Sequence, residues 1–444
     1  MDNTRTKSVK TNKGEGKLIW KIHHWSGFYT GIVIAVLCIT GSVAVFIPEI
    51  DYIIQRMHYS AASSPAKKWH FDQSVVSLTH QYPDYQSLRI EFPEKPGYAG
   101  IVHLTVKANT AEDRFAFFVD MGKDKILGRR NHQNSIANYL RQIHVRLYEG
   151  NWGRYFVGFG GVAFVIVTIT GLMIYGNFMK RQQYPQIRNG KGLRLVMADW
   201  HKLLGISSLA FNLMIALTGA WLGLQGWFKV KNPSQYQAAA VMSGEADAQT
   251  TVNWEEVLGT TARYFPDLVP LSAVSSTDGS GTVTISGNIK GLIYERAINR
   301  LTLSKFGLQP VFKYDIREKP FWHKFFFVQE ALHFGDYGGL GLKITYALLG
   351  LVSAFLSISG FVVYFYRTAK KSNRKSAPLK ITFIYSVIIL LVLVIAALVS
   401  TLIGYSTAAL MMAVVIDGGL VGIVLYGLIR FLRRKFCLPK PVIG

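Results

Sequence analysis

The sequence predicts an α-helical integral membrane protein with a duplicated four-helix core, two additional C-terminal helices and two small α/β domains outside the membrane. Half of the 444 residues are hydrophobic and only 17% are charged, whereas soluble domains average about 25% charged residues. Six apolar runs are long enough to cross about 30 Å of hydrocarbon. Two of the connections between these runs are each long enough to form a small domain.

Hydropathy divides the chain into six predicted spans, two outer domains and four short segments. The spans are residues 23–47, 153–176, 204–225, 341–366, 381–403 and 408–430. The outer domains are residues 48–152 and 226–340. The short segments are residues 1–22, 177–203, 367–380 and 431–444. An even number of spans places both termini on the same side of the membrane.

The formal net charge of +23 indicates orientation. Nearly half of the 49 lysines and arginines fall in the four short segments, where the opposing acidic residues are Asp2, Glu15 and Asp199. By the positive-inside rule these segments and both termini are cytoplasmic, and the two domains lie outside. Because nucleic-acid-binding proteins are not this apolar, no nucleic-acid partner is expected; the lipid bilayer is the expected partner.

Two pairs of segments repeat the same spacings around a histidine. His23 and His201 are each followed by glycine four and eighteen residues later. His144 and His333 are each followed by a tyrosine at four residues, a glycine at six, a basic residue at ten and a glycine at twenty-seven. These matches predict two similar halves in parallel orientation.

Topology assigns the four histidines to two depths. His23 and His201 begin outward-running helices at the cytoplasmic edge, whereas His144 and His333 precede inward-running helices at the outer edge. Each edge therefore receives one histidine from each half, and two imidazoles from facing helices are what a six-coordinate haem iron requires. We predict all four as axial ligands of one or two haems.

Glycines and cations near these histidines suit the same cofactor. The glycines, which would let a flat macrocycle approach the backbone, are Gly27, Gly31, Gly41, Gly205 and Gly219. The cations expected to meet haem propionates are Arg146 and Lys343, together with Lys21, Lys202 and Arg154.

Other interpretations of these residues remain open. Each histidine could lie half in lipid and half in water, and the glycines could serve close helix packing alone. The matched pairs favour ligands. His24 has no counterpart in the repeat, because Lys202 takes its place. No cysteine or acidic residue accompanies the pairs at a spacing that would favour zinc.

Each outer domain is predicted to begin with a helix and continue with strands. In the first domain the helix is 71–82 and the strands are 87–92, 100–107 and 114–120. In the second the helix is 253–264 and the strands are 269–275, 281–286, 292–299 and 308–314. Helices over 136–147 and 321–332 then connect each domain to its repeated histidine.

The strings KIHHWSGFYTG, IHVRLYEGNWGR, ADWHKLLG and ALHFGDYGGLGLK, each followed by a TG or SG pair, resemble the PepSY-associated transmembrane family. The resemblance covers about residues 18–366. It implies a four-helix core with PepSY-like outer domains, b-type haem and electron transfer to ferric chelates outside, because some members are inner-membrane ferric-siderophore reductases. The last two spans depart from that core.

The sequence therefore predicts an oxidoreductase of the bacterial cytoplasmic membrane that reduces a ferric siderophore or another ferric chelate for iron uptake. No cytoplasmic loop is long enough for a flavin or nicotinamide domain, so a quinol or a separate cytoplasmic reductase must donate electrons. Two alternatives remain: a haem-free PepSY-type protein that binds a peptide or partner, and a transporter that uses Asp417 in the sixth span.

Overall fold

The structure is a computed structural model. It describes residues 13–59, 61, 69–94, 97–107, 112–131, 135–148, 150–179, 187–230, 252–275, 281–294 and 296–371. The predicted fifth and sixth spans, Asp417 and the C-terminal tail lie outside these residues.

The described part of the chain combines long apolar helices with one antiparallel sheet. The helices are α1 Lys13–Ala44, α2 Ile47–His58, α3 Asp72–Gln81, α4 Ile136–Arg146, α5 Gly150–Met179, α6 Leu193–Ser207, α7 Leu209–Leu224, α8 Trp254–Tyr264, α9 Phe321–Phe334 and α10 Gly339–Lys371. The strands are β1 Tyr85–Glu91, β2 Gly100–Lys107, β3 Glu112–Asp120, β4 Lys125–Asn131, β5 Leu268–Ser275, β6 Thr282–Ile289, β7 Asn299–Ser304 and β8 Pro310–Tyr314.

Several helices have the length and apolar composition of membrane spans. Three described segments qualify alone: Gly16–Ala44, Gly150–Gly176 and Asp336–Tyr364. The pair α6 and α7 makes a fourth if it is counted as one bent span. The chain is therefore a multi-pass membrane protein, and its first, second and fourth predicted spans correspond to these three segments.

The third predicted span, 204–225, is not one straight helix. Its chain bends by 71° between α6 and α7, at Ser208. The Ser208 hydroxyl donates to the carbonyl of Leu204 at 2.6 Å and accepts from the amide of Asn212 at 2.9 Å. Hydroxyl and amide side chains that bond locally compete with the helical ladder and allow such a bend.

The helical core depends on close contact between backbones. A Cβ added at Gly161 in α5 would lie 2.7 Å from the backbone nitrogen of Ala220 in α7. One turn away, Gly158 and Gly223 face each other without intervening side chains. Small residues at such a crossing bring helices together where burial of apolar surface from water gives no driving force.

The two predicted outer domains share one sheet, whereas the sequence predicted two small domains that each fold on a core of their own. The strand order is β4-β3-β2-β1-β5-β6-β7-β8. Strand β1 pairs with β5 in antiparallel register, from Leu88 opposite Ser275 to Glu91 opposite Ser272. Pairing satisfies backbone groups that each four-stranded sheet would otherwise leave open at its edge. One hydrophobic core, which includes Phe71 just before α3 and Trp254 of α8, covers both halves of the sheet.

The predicted helices and most predicted strands of the outer domains are present within a few residues, with two differences. Strand β4 was not predicted. The predicted strand 292–299 is wrong, because Gly291 and Ala297 have φ angles of 83° and 50° and the chain turns there. The strand begins instead at Asn299, where Leu301 and Leu303 alternate into the core.

Candidate functional site

Two of the repeated histidines meet at the end of the helical core that is farther from the sheet. His23 lies in α1 and His201 in α6. Their ring centres are 6.4 Å apart and their planes are inclined by 83°. We call these two residues the distal pair.

The other two repeated histidines meet next to the sheet. His144 lies near the end of α4 and His333 near the end of α9, and their ring centres are 6.2 Å apart at 37°. We call them the sheet-side pair. His144 contacts Gly41, which follows His23 by eighteen residues in α1, a rise of about 27 Å along a helix. The two pairs therefore lie near opposite ends of one span.

Each of the four rings packs on a glycine from a different helix. The contacts are His23 with Gly171, His144 with Gly41, His201 with Gly360 and His333 with Gly219. A Cβ at Gly171 or Gly219 would lie 3.1 Å from its histidine. Any larger side chain at these positions would push the imidazole away.

The residue before each glycine carries a hydroxyl that contacts the same histidine. The distances from Nδ1 are 3.2 Å from His23 to Thr170, 3.2 Å from His144 to Thr40, 2.9 Å from His201 to Ser359 and 3.0 Å from His333 to Thr218. The four histidines thus share one local arrangement, a hydroxyl on Nδ1 and a glycine beneath the ring.

The hydroxyl groups also fix which ring nitrogen carries the proton. The Thr170 hydroxyl donates to the carbonyl of Ile166 at 2.6 Å, and that of Thr218 donates to Met214 at 2.7 Å. The hydroxyls of Thr40 and Ser359 likewise donate to carbonyls of their own helices. Because a hydroxyl has one proton, each must accept from Nδ1–H. In the described part of the chain Nε2 makes no hydrogen bond in any of the four rings, so it is left for a metal ion.

The spacing within each pair fits two axial ligands of one iron. An imidazole nitrogen lies about 2 Å from a bound metal and roughly 1 Å from its own ring centre, so two rings across one metal are roughly 6 Å apart. Both observed separations match this value. Among the described residues no group of three or more histidine, cysteine or acidic side chains could hold a metal alone. Haem iron needs two protein ligands, and the two ring separations fit that number.

A cavity of about 360 Å³ opens beside the distal pair, a volume in the usual range for cofactor sites. His23 and His201 both line it. Its wall includes the predicted glycines Gly27, Gly31 and Gly205, together with Gly171 and Gly360. Its aromatic residues are Trp20, Phe28, Phe164, Tyr175, Phe361 and Tyr364. Such a wall suits a flat, largely apolar macrocycle.

His24 lines the same cavity but belongs to neither pair. Its ring lies 4.9 Å from that of Trp20 and 4.9 Å from that of Tyr364. The Trp20 ring stacks on the imidazole at 11°, and the Tyr364 ring is tilted against it by 42°.

Four of the cations predicted for propionates differ in their surroundings. The Lys343 ammonium lies 2.8 Å from the carboxylate of Glu49 in α2, a partner that the sequence did not indicate. Arg146 ends α4, two residues after His144. Arg154 donates to the carbonyl of Leu222 at 2.7 Å. Lys202, at the distal end, lies 3.7 Å from Asp199.

Burial keeps the sheet-side pair neutral. It lowers the pKa of His144 to about 4. Burial, with the nearby His144 and Arg296, lowers the pKa of His333 to about 3. At neutral pH both imidazoles are therefore in the form that binds metals.

The hydroxyl partners of the histidines were not predicted from sequence. The TG and SG pairs were visible as part of the repeat. A role was predicted only for their glycines, which were expected to let a macrocycle approach the backbone. Their contacts cross between helices that are more than a hundred residues apart in sequence. The signal that could have revealed them was the hydroxyl residue directly before Gly41, Gly171, Gly219 and Gly360.

Fold and site together define a multi-pass α-helical membrane protein with half-buried, paired histidines near both ends of its spans. The chain belongs to the PepSY-associated TM region family, whose profile matches residues 20–367. An uncharacterized protein of Pseudomonas aeruginosa is 24% identical over 261 residues, which cover 53% of this chain and 65% of that protein. The match thus spans just under two thirds of that relative's length.

Proposed function

We propose that this chain is a haem-dependent electron-transfer protein that reduces a ferric chelate, such as a ferric siderophore, on the outer side of the bacterial cytoplasmic membrane. The observation that carries the proposal is the pairing of the four histidines at ring separations of 6.4 and 6.2 Å. Every Nδ1 is hydrogen-bonded, and every Nε2 is left for a metal. The proposal includes two similar halves and two PepSY-like modules joined in one sheet.

The proposed ligands come from both halves of the chain. His23 and His201 would hold one b-type haem, and His144 and His333 a second. Arg146 is the proposed propionate partner at the sheet side. Lys343 would contribute less, because Glu49 already pairs with its charge.

Haem iron, when bound, supplies reversible one-electron chemistry between Fe(III) and Fe(II). The chain orients the imidazoles and keeps other side chains away from the rings. The hydroxyl on each Nδ1 fixes the ring's tautomer and orientation and increases the basicity of Nε2. The glycine beneath each ring keeps its position free of side chains.

The acceptor follows from the chemistry of iron. Hard oxygen ligands hold Fe(II) less tightly than Fe(III), so a chelate that gains one electron releases its metal without cleavage of the chelator. By the positive-inside rule, the basic short segments support a cytoplasmic position for themselves and therefore an outer position for the sheet and the proposed site of reduction. A quinol or a cytoplasmic reductase is the proposed donor.

Proteoliposomes test this function. A membrane-impermeant reductant is enclosed, and a ferric chelate is supplied outside with a chromophore specific for Fe(II). We expect Fe(II) to form with haem-loaded protein and with the His24→Ala control. It should not form with a His23→Ala, His201→Ala double variant. Equal rates with the double variant and the native chain would refute the proposal.

A further inference from the structure

Four arginines converge beside the sheet-side pair. Arg141 lies one turn before His144 on α4, and Arg146 ends the same helix. Arg154 extends from α5, and Arg296 lies just before β7. Arg141 is within electrostatic range of the other three. In the described part of the chain the acidic groups that face the cluster are Glu330 and Asp336.

Two of these arginines have protein partners. Arg154 donates twice to the carbonyl of Leu222, at 3.1 and 2.7 Å. Arg296 pairs with Asp336 at 2.7 Å, and its guanidinium lies 3.4 Å from the ring centre of Phe334, the neighbour of His333. Among the described residues Arg141 makes no hydrogen bond, and its side chain is exposed to solvent. Its guanidinium fork is therefore accessible to a ligand.

The cluster holds more positive than negative charge. Arg141 keeps an exposed surface, but the protein around it partly desolvates the guanidinium and lowers its pKa, and Arg296, Arg146 and Arg154 lower it further. Charges of one sign at this range repel each other, and a bound anion would relieve that repulsion. The repeat places Glu330 where the first half has Arg141, three residues before the paired histidine. The position equivalent to Arg141 is therefore acidic in the second half. The excess positive charge lies around Arg141 and Arg296.

We propose that Arg141 and Arg296 bind the ferric chelate that accepts the electron, and that this chelate is anionic, with carboxylate or catecholate ligands. This inference rests on the proposed function, because it names the substrate class of that site. Guanidinium groups form paired, charge-assisted hydrogen bonds with carboxylate and catecholate oxygens. A neutral or cationic hydroxamate chelate would gain no such interaction.

Binding of a chelate that cannot be reduced tests this site without electron transfer. Ga(III)–EDTA is anionic and resembles its Fe(III) counterpart, whereas Ga(III)–desferrioxamine is cationic. Equilibrium binding of each is measured to the purified full chain, to Arg141→Gln, and to Arg263→Gln as a control on the exposed face of α8. We expect Arg141→Gln to weaken Ga(III)–EDTA binding about tenfold, and Arg263→Gln to bind like the native chain. Ga(III)–desferrioxamine should bind more weakly and independently of Arg141.

Three outcomes would overturn the inference: equal Ga(III)–EDTA affinity in the native chain and Arg141→Gln, equal loss for both chelates, or no binding. A loss of haem absorbance in Arg141→Gln without any Ga(III)–EDTA binding would instead assign this arginine to the propionates. Failure of the proposed function can be told apart from failure of this inference. A chain without a haem spectrum would contradict the proposed function, yet it could still bind Ga(III)–EDTA through Arg141.

Discussion

Gly41 and His144 are in close contact, although 103 residues of sequence separate them. A Cβ at Gly41 would lie 2.8 Å from Cε1 of the His144 ring, which is shorter than a van der Waals contact allows. Position 41 therefore has to be glycine for the imidazole to occupy its observed place.

Gly41→Val should displace His144 and selectively remove haem from the sheet-side pair. The distal pair, near the opposite end of α1, should be unaffected. Haem content per chain, measured by pyridine haemochrome absorbance, should fall to about half of the native value. Gly176→Val is the matched control, because a Cβ there meets nothing within 4 Å. Equal haem loss in both variants would mean that the effect is general destabilisation of α1 or α5.

Thr218→Val removes the hydroxyl that accepts from His333 but keeps the shape of the side chain. Loss of such a partner typically lowers metal affinity about tenfold or more, so haem titration should show weaker binding at one of two sites. Thr345→Val is the control, because its hydroxyl bonds only within α10 and its side chain is exposed. Unchanged haem affinity in Thr218→Val would show that the hydroxyl does not support the ligand.

Sequence patterns could predict which residues resemble each other, but not most of the contacts between distant segments. The repeat identified the four histidines. The predicted topology then paired His23 with His201 and His144 with His333, because it assigns each residue a depth in the membrane. It could not show that Thr40 bonds His144, since that contact joins two helices. Hydropathy also could not reveal the bend at Ser208, because α6 and α7 are both apolar. The alternation of hydrophobic and polar residues predicted β1 and β5 as strands. It did not show that these two strands pair with each other.

The two pairs should give distinguishable electron paramagnetic resonance signals in the ferric state. The ring planes meet at 83° in the distal pair and at 37° in the sheet-side pair. The relative orientation of two axial imidazoles sets how unequally they interact with the iron d orbitals, so the g values should differ. His333→Ala should abolish one low-spin signal and leave the other. One shared signal that His333→Ala and His201→Ala weaken equally would contradict two separate sites.

The segment that leads into α9 should be sensitive to acid. The Asp315 side chain is 1% exposed and lies 2.7 Å from the Arg317 guanidinium. Burial raises the pKa of this carboxyl, but hydrogen bonds from Arg317 outweigh burial, so the pKa lies below its usual value. The carboxylate therefore contributes stability at neutral pH, and this contribution is lost as the pH falls through the folded-state pKa.

Arg317→Gln should lower the local free energy of opening at neutral pH by about 1 to 2 kcal/mol and should reduce its dependence on acid. Hydrogen–deuterium exchange over β8 and the first turn of α9 reports that quantity. Arg263→Gln, on an exposed position of α8, should exchange like the native chain. A native-like pH profile in Arg317→Gln would show that Asp315 does not depend on this partner.

The reduced-minus-oxidised absorption spectrum of the purified chain, produced with ample haem, tests the central claim most directly. Two haems per chain and b-type Soret and α bands are expected. The bands should fall by about half in His144→Ala or His333→Ala and persist in His24→Ala. A chain without reducible haem bands, or one whose bands depend on His24 and not on the paired histidines, would contradict the account.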